Sequence, residues 1–258
     1  MPESTESTES ARPGIAIVTG AGSGLGRAVA EGLLAEGRTV LAVGRRIEPL
    51  RQVAEAAEAG GRGRAIPCTA DLGADDAAAE ILKAVRSAGG AGGAGLIDTV
   101  VNNAGLAELA AFEATDAAMF ARSLAVNLLG PVRLLQAAWP DLIASGRGRV
   151  VNISSMATAD PFDGFLAYAA AKSGLESVTR SLAREGAASG IEAWTVAPGA
   201  IETPMLRGLF DESMVPREAA MDPAEVAAVV LDLLTGRRTA TSGATIRMPG
   251  PGRLPIVG

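Results

Sequence analysis

From Ile15 onward the chain alternates between two hydrophobic patterns. Short, almost wholly apolar runs occur at IAIVT (15–19), TVLAV (39–43), RAIPCT (64–69), IDTVV (97–101), GRVVNIS (148–154) and IEAWTVA (191–197). Runs of this length and β-branched content predict strands, and IAIVT one buried on both faces. ATIRM (244–248) is a candidate final strand. Between the runs, apolar residues recur at helical spacing. The first such segment starts in a glycine-rich turn and reaches about Glu36, with Leu25, Ala28, Val29, Gly32 and Leu33 on one face. Pro49 opens a second near its preferred first position. Further helices are predicted over 75–87, from about Asp116 to Ala144, over 165–188, and over 223–234 behind Asp222-Pro223. Alternating strands and helices imply right-handed crossovers and a parallel sheet covered on both faces. The expected architecture is a single doubly wound α/β domain over 14–258, with a tail (MPESTESTESARP, 1–13) too polar to fold and a loop at GGAGGAG (89–95).

Composition narrows the chemistry. Of 258 residues, 48% are hydrophobic but only 3% aromatic, so Ala, Val, Leu and Ile must build the core. A net charge of −6 offers no field for nucleic acid. The absence of histidine excludes a Ser-His-Asp triad, a histidine base and the common histidine-rich zinc sites. A single cysteine rules out an internal disulfide and suits a reducing compartment. The tail lacks the basic and apolar regions of a secretory leader, and no run of 18 strongly apolar residues stands out. A soluble, cytoplasmic protein without membrane or nucleic-acid partners is the expectation.

Three places carry candidate chemistry. The turn TGAGSGLG (19–26) lies between a predicted strand and a predicted helix. There Gly20 and Gly22 would permit positive φ and close backbone approach, and Gly24 and Gly26 would bring the helix N-terminus to a pyrophosphate. A tight turn in a glycine-rich chain is the plainer reading. Second, the only tyrosine, Tyr168, has one of only two lysines, Lys172, four residues on and hence on the same helix face. A cation there would lower the phenol pKa and suit proton transfer, unless the pair is simply packed tyrosine beside exposed lysine. Third, the second strand ends in Gly44-Arg45-Arg46 with no acid before Glu48. Acceptance of the adenosine 2′-hydroxyl by an acid is thereby excluded, while Gly44 leaves room for a 2′-phosphate that either arginine would grip. Two solvated loop arginines are the alternative. Asn127 falls inside the long helix four residues before Pro131, which frees its carbonyl for a water or merely kinks the helix.

Together TGAGSGLG (19–26), Asp71-Leu72, NNAG (102–105), Asn127, NISS (152–155), YAAAK (168–172) and PGAIETP (198–204) closely resemble the short-chain dehydrogenase/reductase family, from about Ile15 to Pro204. The resemblance implies a Rossmann-type fold and an NAD(P)-dependent oxidoreductase acting on a secondary alcohol or ketone. It implies Tyr168 as acid/base, Lys172 on the nicotinamide ribose, Ser155 (thirteen residues before Tyr168, with Ser154 one short of that spacing) on the substrate oxygen, and Asn127 behind a water relay. Cofactor contacts would come from Gly20, Ser23, Gly24, Leu25, Gly26, Arg45, Arg46, Asp71, Leu72, Asn103, Ala104, Gly105, Pro198, Gly199, Ile201 and Thr203. NADP is expected over NAD, and a homotetramer or homodimer would form through the helices near 116–144 and 165–188. Where the family usually ends in a strand and Asp-Gly-Gly, this chain has TIRMPGPG (245–252). A lid near 205–221 carries Met205, Leu206, Leu209, Phe210, Met214 and Val215, which with Phe162, Phe165 and Leu166 suggest an apolar substrate pocket or ordinary loop packing. Reduction of a 3-ketoacyl thioester is an alternative, for which Arg207 and Arg217 are few; an NADP-binding redox sensor is another, disfavoured by an intact Ser155-Tyr168-Lys172 set.

Overall fold

A computed structural model describes residues 14–88 and 96–258; the predicted tail and glycine loop, 1–13 and 89–95, lie outside the described residues. Parallel strands β1 (Ile15–Thr19), β2 (Thr39–Gly44), β3 (Arg64–Thr69), β4 (Ile97–Asn102), β5 (Arg149–Ile153), β6 (Glu192–Pro198) and β7 (Thr245–Met248) form one sheet in the order β3-β2-β1-β4-β5-β6-β7. A two-residue antiparallel strand, β8 (Ile256–Val257), pairs with β7 at the far edge. The helices are α1 (Gly24–Ala35), α2 (Ile47–Gly60), α3 (Ala77–Ala88), α4 (Ala117–Leu124), α5 (Gly130–Ser145), α6 (Leu166–Gly186), α7 (Pro204–Leu209) and α8 (Pro223–Thr235).

Successive strand residues feed two separate cores, as a pleat requires. Ala16 and Val18 join α1, α2 and α8 on one face, through Leu33, Val53 and Val230. Ile15 and Ile17 join α3 and α5 on the other, through Ile81, Leu134 and Leu142. Central strands β1 and β4 are buried along their whole length. Pro67 sits in β3, which pairs only with β2, and an edge strand is where a missing N–H is tolerated. The strand order reverses between β1 and β4, so the loops leaving them splay to opposite faces and open a crevice at their C-terminal ends.

The main departures from expectation are local. The helix predicted from Asp116 to Ala144 is interrupted by a π-helical turn at Ala125–Leu129, after which Pro131 occupies the first turn of α5. The irregularity is therefore a widened turn around Asn127 rather than a kink at the proline. By length and composition, the stretch Ala117–Ser145 would also suit a membrane span, because single charges interrupt it without ending it. Here it packs against β4, α3 and α6, leaving Leu129 and Ile143 exposed. Helix α2 begins at Ile47, with Pro49 third rather than first. The family's usual C-terminal strand, expected to be missing from TIRMPGPG, is present as β7 where ATIRM was a candidate strand, parallel to β6.

Candidate active site

The glycine turn is shaped by its own backbone. Gly20 and Gly24 have φ of +68° and +51°, a region L side chains rarely adopt. Gly22, expected to need positive φ, does not; the left-handed residue is Gly24, where the chain turns into α1. A Cβ at Gly26 would overlap the Gly20 carbonyl and the Asn103 side chain. The turn is tied to the crevice from both sides. Ala21 N–H donates to the Val43 carbonyl at 3.1 Å. Thr19 Oγ1 accepts from the N–H groups of Asn103 and Ala104 at 3.0 Å each, and the Thr19 carbonyl accepts from Asn103 Nδ2 at 2.9 Å. The Asn103 side chain is thus spent on bracing the turn. Ser23 caps α1 without a side-chain hydrogen bond, and the first turn of α1 carries no acid. Its N–H groups are free for an anion.

At the end of β2, Arg45 and Arg46 are exposed and have no ion pair among the described residues. A Cβ at Gly44 would touch the Leu50 side chain in ordinary van der Waals contact, nearest at Cδ2 at 3.4 Å. Asp71 uses its carboxylate on the Gly73 N–H at 3.0 Å, and the Leu72 side chain is buried, so Leu72 can offer a ligand only its backbone. On the opposite wall, Thr203 caps α7 by accepting from the Leu206 N–H at 3.2 Å, and a Cβ at Gly24 would stand 2.7 Å from Thr203 Cγ2. The lid segment therefore starts against the glycine turn. Backbone bonds between 200–202 and Met221 pin its base. Open N–H groups, close-packed glycines and unpaired arginines at this spacing fit an extended dinucleotide phosphate.

Deeper in the crevice, Ser155 heads the turn after β5, and its hydroxyl interacts with the Tyr168 phenol by side-chain hydrogen bonding. Ser154 faces away: its hydroxyl donates to buried Glu176 Oε1 at 2.9 Å, joined there by Thr158 at 2.7 Å. Lys172 is buried on α6, four residues from Tyr168, and its ammonium donates to the Ile153 carbonyl at 2.8 Å. Its Nζ lies 5.8 Å from the Tyr168 ring centre. A Cβ at Gly105 would come within 3.0 Å of Asn127 Oδ1 and 3.7 Å of Lys172 Nζ, so NNAG, the π-turn and α6 converge at one point. Asn127 Oδ1 accepts from Leu106 N–H at 3.0 Å, and its Nδ2 donates to the Leu106 carbonyl at 2.8 Å. Its side chain holds the loop after β4 in place.

The electrostatics correct one expectation. Burial raises the Tyr168 pKa above the ordinary phenol value, with the hydrogen bond from Ser155 opposing it, whereas proximity of Lys172 was expected to lower it. Lys172 is itself desolvated, which depresses its pKa to about 8. A phenol held protonated is suited to donating a proton. The lysine carries a stability consequence. Between pH 8 and 10.5 the unfolded chain binds the Lys172 proton and the folded chain releases it, so this group's contribution to stability rises with pH. Relative to Lys172→Met, the parent should gain on the order of 3 kcal/mol from pH 7 to pH 10.5. Urea midpoints at the two pH values measure it, and a gap that does not change with pH would mean that the ammonium is not desolvated.

The short chain dehydrogenase family profile matches residues 14–213. The chain belongs to this family. It is 32% identical, over 92% of its length and 97% of the relative's, to 2-(R)-hydroxypropyl-CoM dehydrogenase of Xanthobacter autotrophicus. It is 33% identical to a 3-oxoacyl-(acyl-carrier-protein) reductase of Vibrio harveyi, covering 92% and 96% of the two chains. Among solved structures, the angucycline C-6 ketoreductase LanV with bound NADP superposes with a TM-score of 0.83 at 29% identity, over 91% of this chain and 93% of that one. The short-chain dehydrogenase fold expected from the sequence is present, and the protein is an NAD(P)-dependent oxidoreductase acting on CH–OH groups.

In this short-chain dehydrogenase, Ser155, Tyr168, Lys172, Asn127 and Gly105 come together, while Gly20, Ser23, Gly24, Leu25 and Gly26 follow the C-terminal end of β1 and Arg45 and Arg46 that of β2. Pro198, Gly199 and Ile201 leave β6 toward the lid. Sequence reasoning missed Thr19 as the brace of the turn and Glu176 as the partner of Ser154. Thr19 is the last residue of a strand and the only polar one in it, a signal that was available; Glu176 had none.

Proposed function

We propose that the chain is an NADP-dependent oxidoreductase that interconverts a secondary alcohol and a ketone. The observation that carries the reading is the Ser155–Tyr168 hydroxyl pair beside buried Lys172, at the end of a crevice whose other limb presents unpaired Arg45 and Arg46. The first turn of α1 would hold the pyrophosphate, Arg45 or Arg46 the 2′-phosphate, and Lys172 the nicotinamide ribose. The bound NADPH supplies the hydride. Ser155 orients the carbonyl oxygen, Tyr168 gives its phenolic proton to that oxygen, and Lys172 stabilises the phenolate that remains. Asn127, tied to Leu106 and Ser123, keeps the back of the site in register. NADP bound to the LanV neighbour supports the cofactor choice.

Thioester reduction has the names of relatives in its favour. However, Arg207 is engaged by Glu202 and by the Val215 carbonyl, and Arg217 by Glu212, so neither awaits a phosphopantetheine arm. Assembly through α4, α5 and α6, where Leu129 and Ile143 are exposed, would give a homo-oligomer, a tetramer by family resemblance. Light scattering at 25.9 kDa would contradict this and leave the chemistry untouched. Oxidation of NADPH and of NADH in the presence of ketones, alcohols with the oxidised cofactors, and ketoacyl thioesters tests the proposal. Turnover should require NADPH and a simple ketone, and a catalyst confined to thioesters would overturn it.

A further inference from the structure

Four of the chain's eight aromatic residues stand together at the Ser155–Tyr168 hydroxyls. The ring of Phe165 lies 5.4 Å from that of Tyr168, 6.0 Å from Phe210 and 6.2 Å from Phe162, all tilted. Phe165 is buried and forms the back of the cluster, whereas Phe162 is 70% exposed. The three phenylalanines come from two different segments, the approach to α6 and the end of α7 in the lid. Met205 and Met214 of the lid are also exposed, so the rings border an uncovered apolar mouth rather than fill the core.

The charges of that mouth point the same way. The segments framing it, 103–115, 159–167 and 201–221, hold eight carboxylates (Asp or Glu), of which Glu108 pairs with Arg122 of α4, and only two cations of their own, Arg207 and Arg217. Both arginines are already paired with Glu202 or Glu212. A negative rim with no free cation repels phosphorylated carriers and carboxylate substrates before contact. Tilted rings at 5–6 Å, in contrast, present faces and edges to a further ring.

We infer that the substrate is an uncharged ketone borne on a planar aromatic ring system, its ring against Phe162, Phe165 and Phe210 and its carbonyl oxygen directed to Ser155 and Tyr168. The ring contact stands on the cluster itself; the carbonyl placement rests on the reductase reading above. The test is calorimetric titration of the full chain saturated with NADP⁺, which cannot reduce the probes. Those probes are 2-acetylnaphthalene, a linear methyl ketone of matched octanol–water partition, and acetoacetyl-CoA. The naphthyl ketone should bind at least about tenfold more tightly than the linear one. Phe162→Leu and Phe210→Leu, which keep apolar bulk but remove the ring, should each weaken the naphthyl ketone about three- to tenfold, more than they weaken the linear ketone. Equal affinities for the two ketones, equal losses in the variants, or tighter binding of acetoacetyl-CoA would each overturn the inference. Turnover with NADPH separates the two claims. Selective binding without reduction leaves the ring site standing and removes the reductase reading; reduction without selectivity does the reverse.

Discussion

Tyr168→Phe should cut turnover by at least about 10²-fold, within the 10²–10⁴ that general acid–base catalysis typically contributes. The hydroxyl lost is the only phenol in a chain without histidine, so no second phenol or imidazole can take over the proton. The ring that remains still packs on Phe165, which keeps the fold and the cofactor limb intact. NADPH affinity, followed by fluorescence titration, should therefore stay near the parental value. Burial holds the parental phenol protonated, so the variant lacks an acid that was in its donating state. Lys172→Ala should behave differently, weakening cofactor and rate together, because it removes a ribose contact and the partner of the phenolate. A Tyr168→Phe protein retaining more than about a tenth of the parental rate would be incompatible with this mechanism.

Gly44→Asp should reverse the cofactor preference. A Cβ at 44 would meet only the Leu50 side chain, nearest at Cδ2 at 3.4 Å, and Gly44 is not in a positive-φ conformation, so neither the backbone nor a clash at Cβ opposes the substitution. It would accept the adenosine 2′-hydroxyl of NADH and repel the 2′-phosphate of NADPH. Arg45→Ala isolates the attractive half of the same argument. Loss of one charge-assisted hydrogen bond, at about 1.5–3 kcal/mol, lowers NADPH affinity roughly ten- to hundredfold and leaves NADH nearly unchanged. Dissociation constants of both cofactors for parent and variants measure this directly. Equal binding of NADH and NADPH by the parent would contradict the assignment of Arg45 and Arg46, and would turn attention to the uncapped Ser23 hydroxyl.

The strands were legible because runs such as IAIVT are apolar at every position but the last, a pattern that burial on both faces explains. The parallel sheet and the convergence of Tyr168 with Lys172 followed from alternation and i,i+4 spacing, whereas the strand order, and with it the crevice between β1 and β4, is visible only in the fold. Spacing also preferred Ser155 to Ser154, and Ser155 is the serine that faces the phenol. The rest depended on contacts distant in sequence. Asn127 stands out in the sequence for its carbonyl, whereas its side-chain bonds to Leu106 and the surrounding π-turn leave no trace in the hydrophobic pattern. The pKa of Tyr168 was read with the wrong sign, because i,i+4 proximity is visible in sequence while the burial that outweighs it is not. Strand β8 escaped notice because two residues make no pattern; it is held by the Thr245 and Gly258 backbones exchanging bonds at 3.0 and 3.1 Å.

The central claim, hydride transfer from NADPH to a ketone carbon with the oxygen protonated by Tyr168, is tested most directly by following the hydride. The parent protein is incubated with NADPH carrying deuterium at the transferable C4 position and with 2-acetylnaphthalene, and the product alcohol is analysed by mass spectrometry and NMR. The account predicts one deuterium on the carbinol carbon, a single configuration at that carbon, and no labelled alcohol with Tyr168→Phe. NADPH consumption that leaves the carbinol carbon unlabelled, or an alcohol formed equally well by Tyr168→Phe, would contradict it.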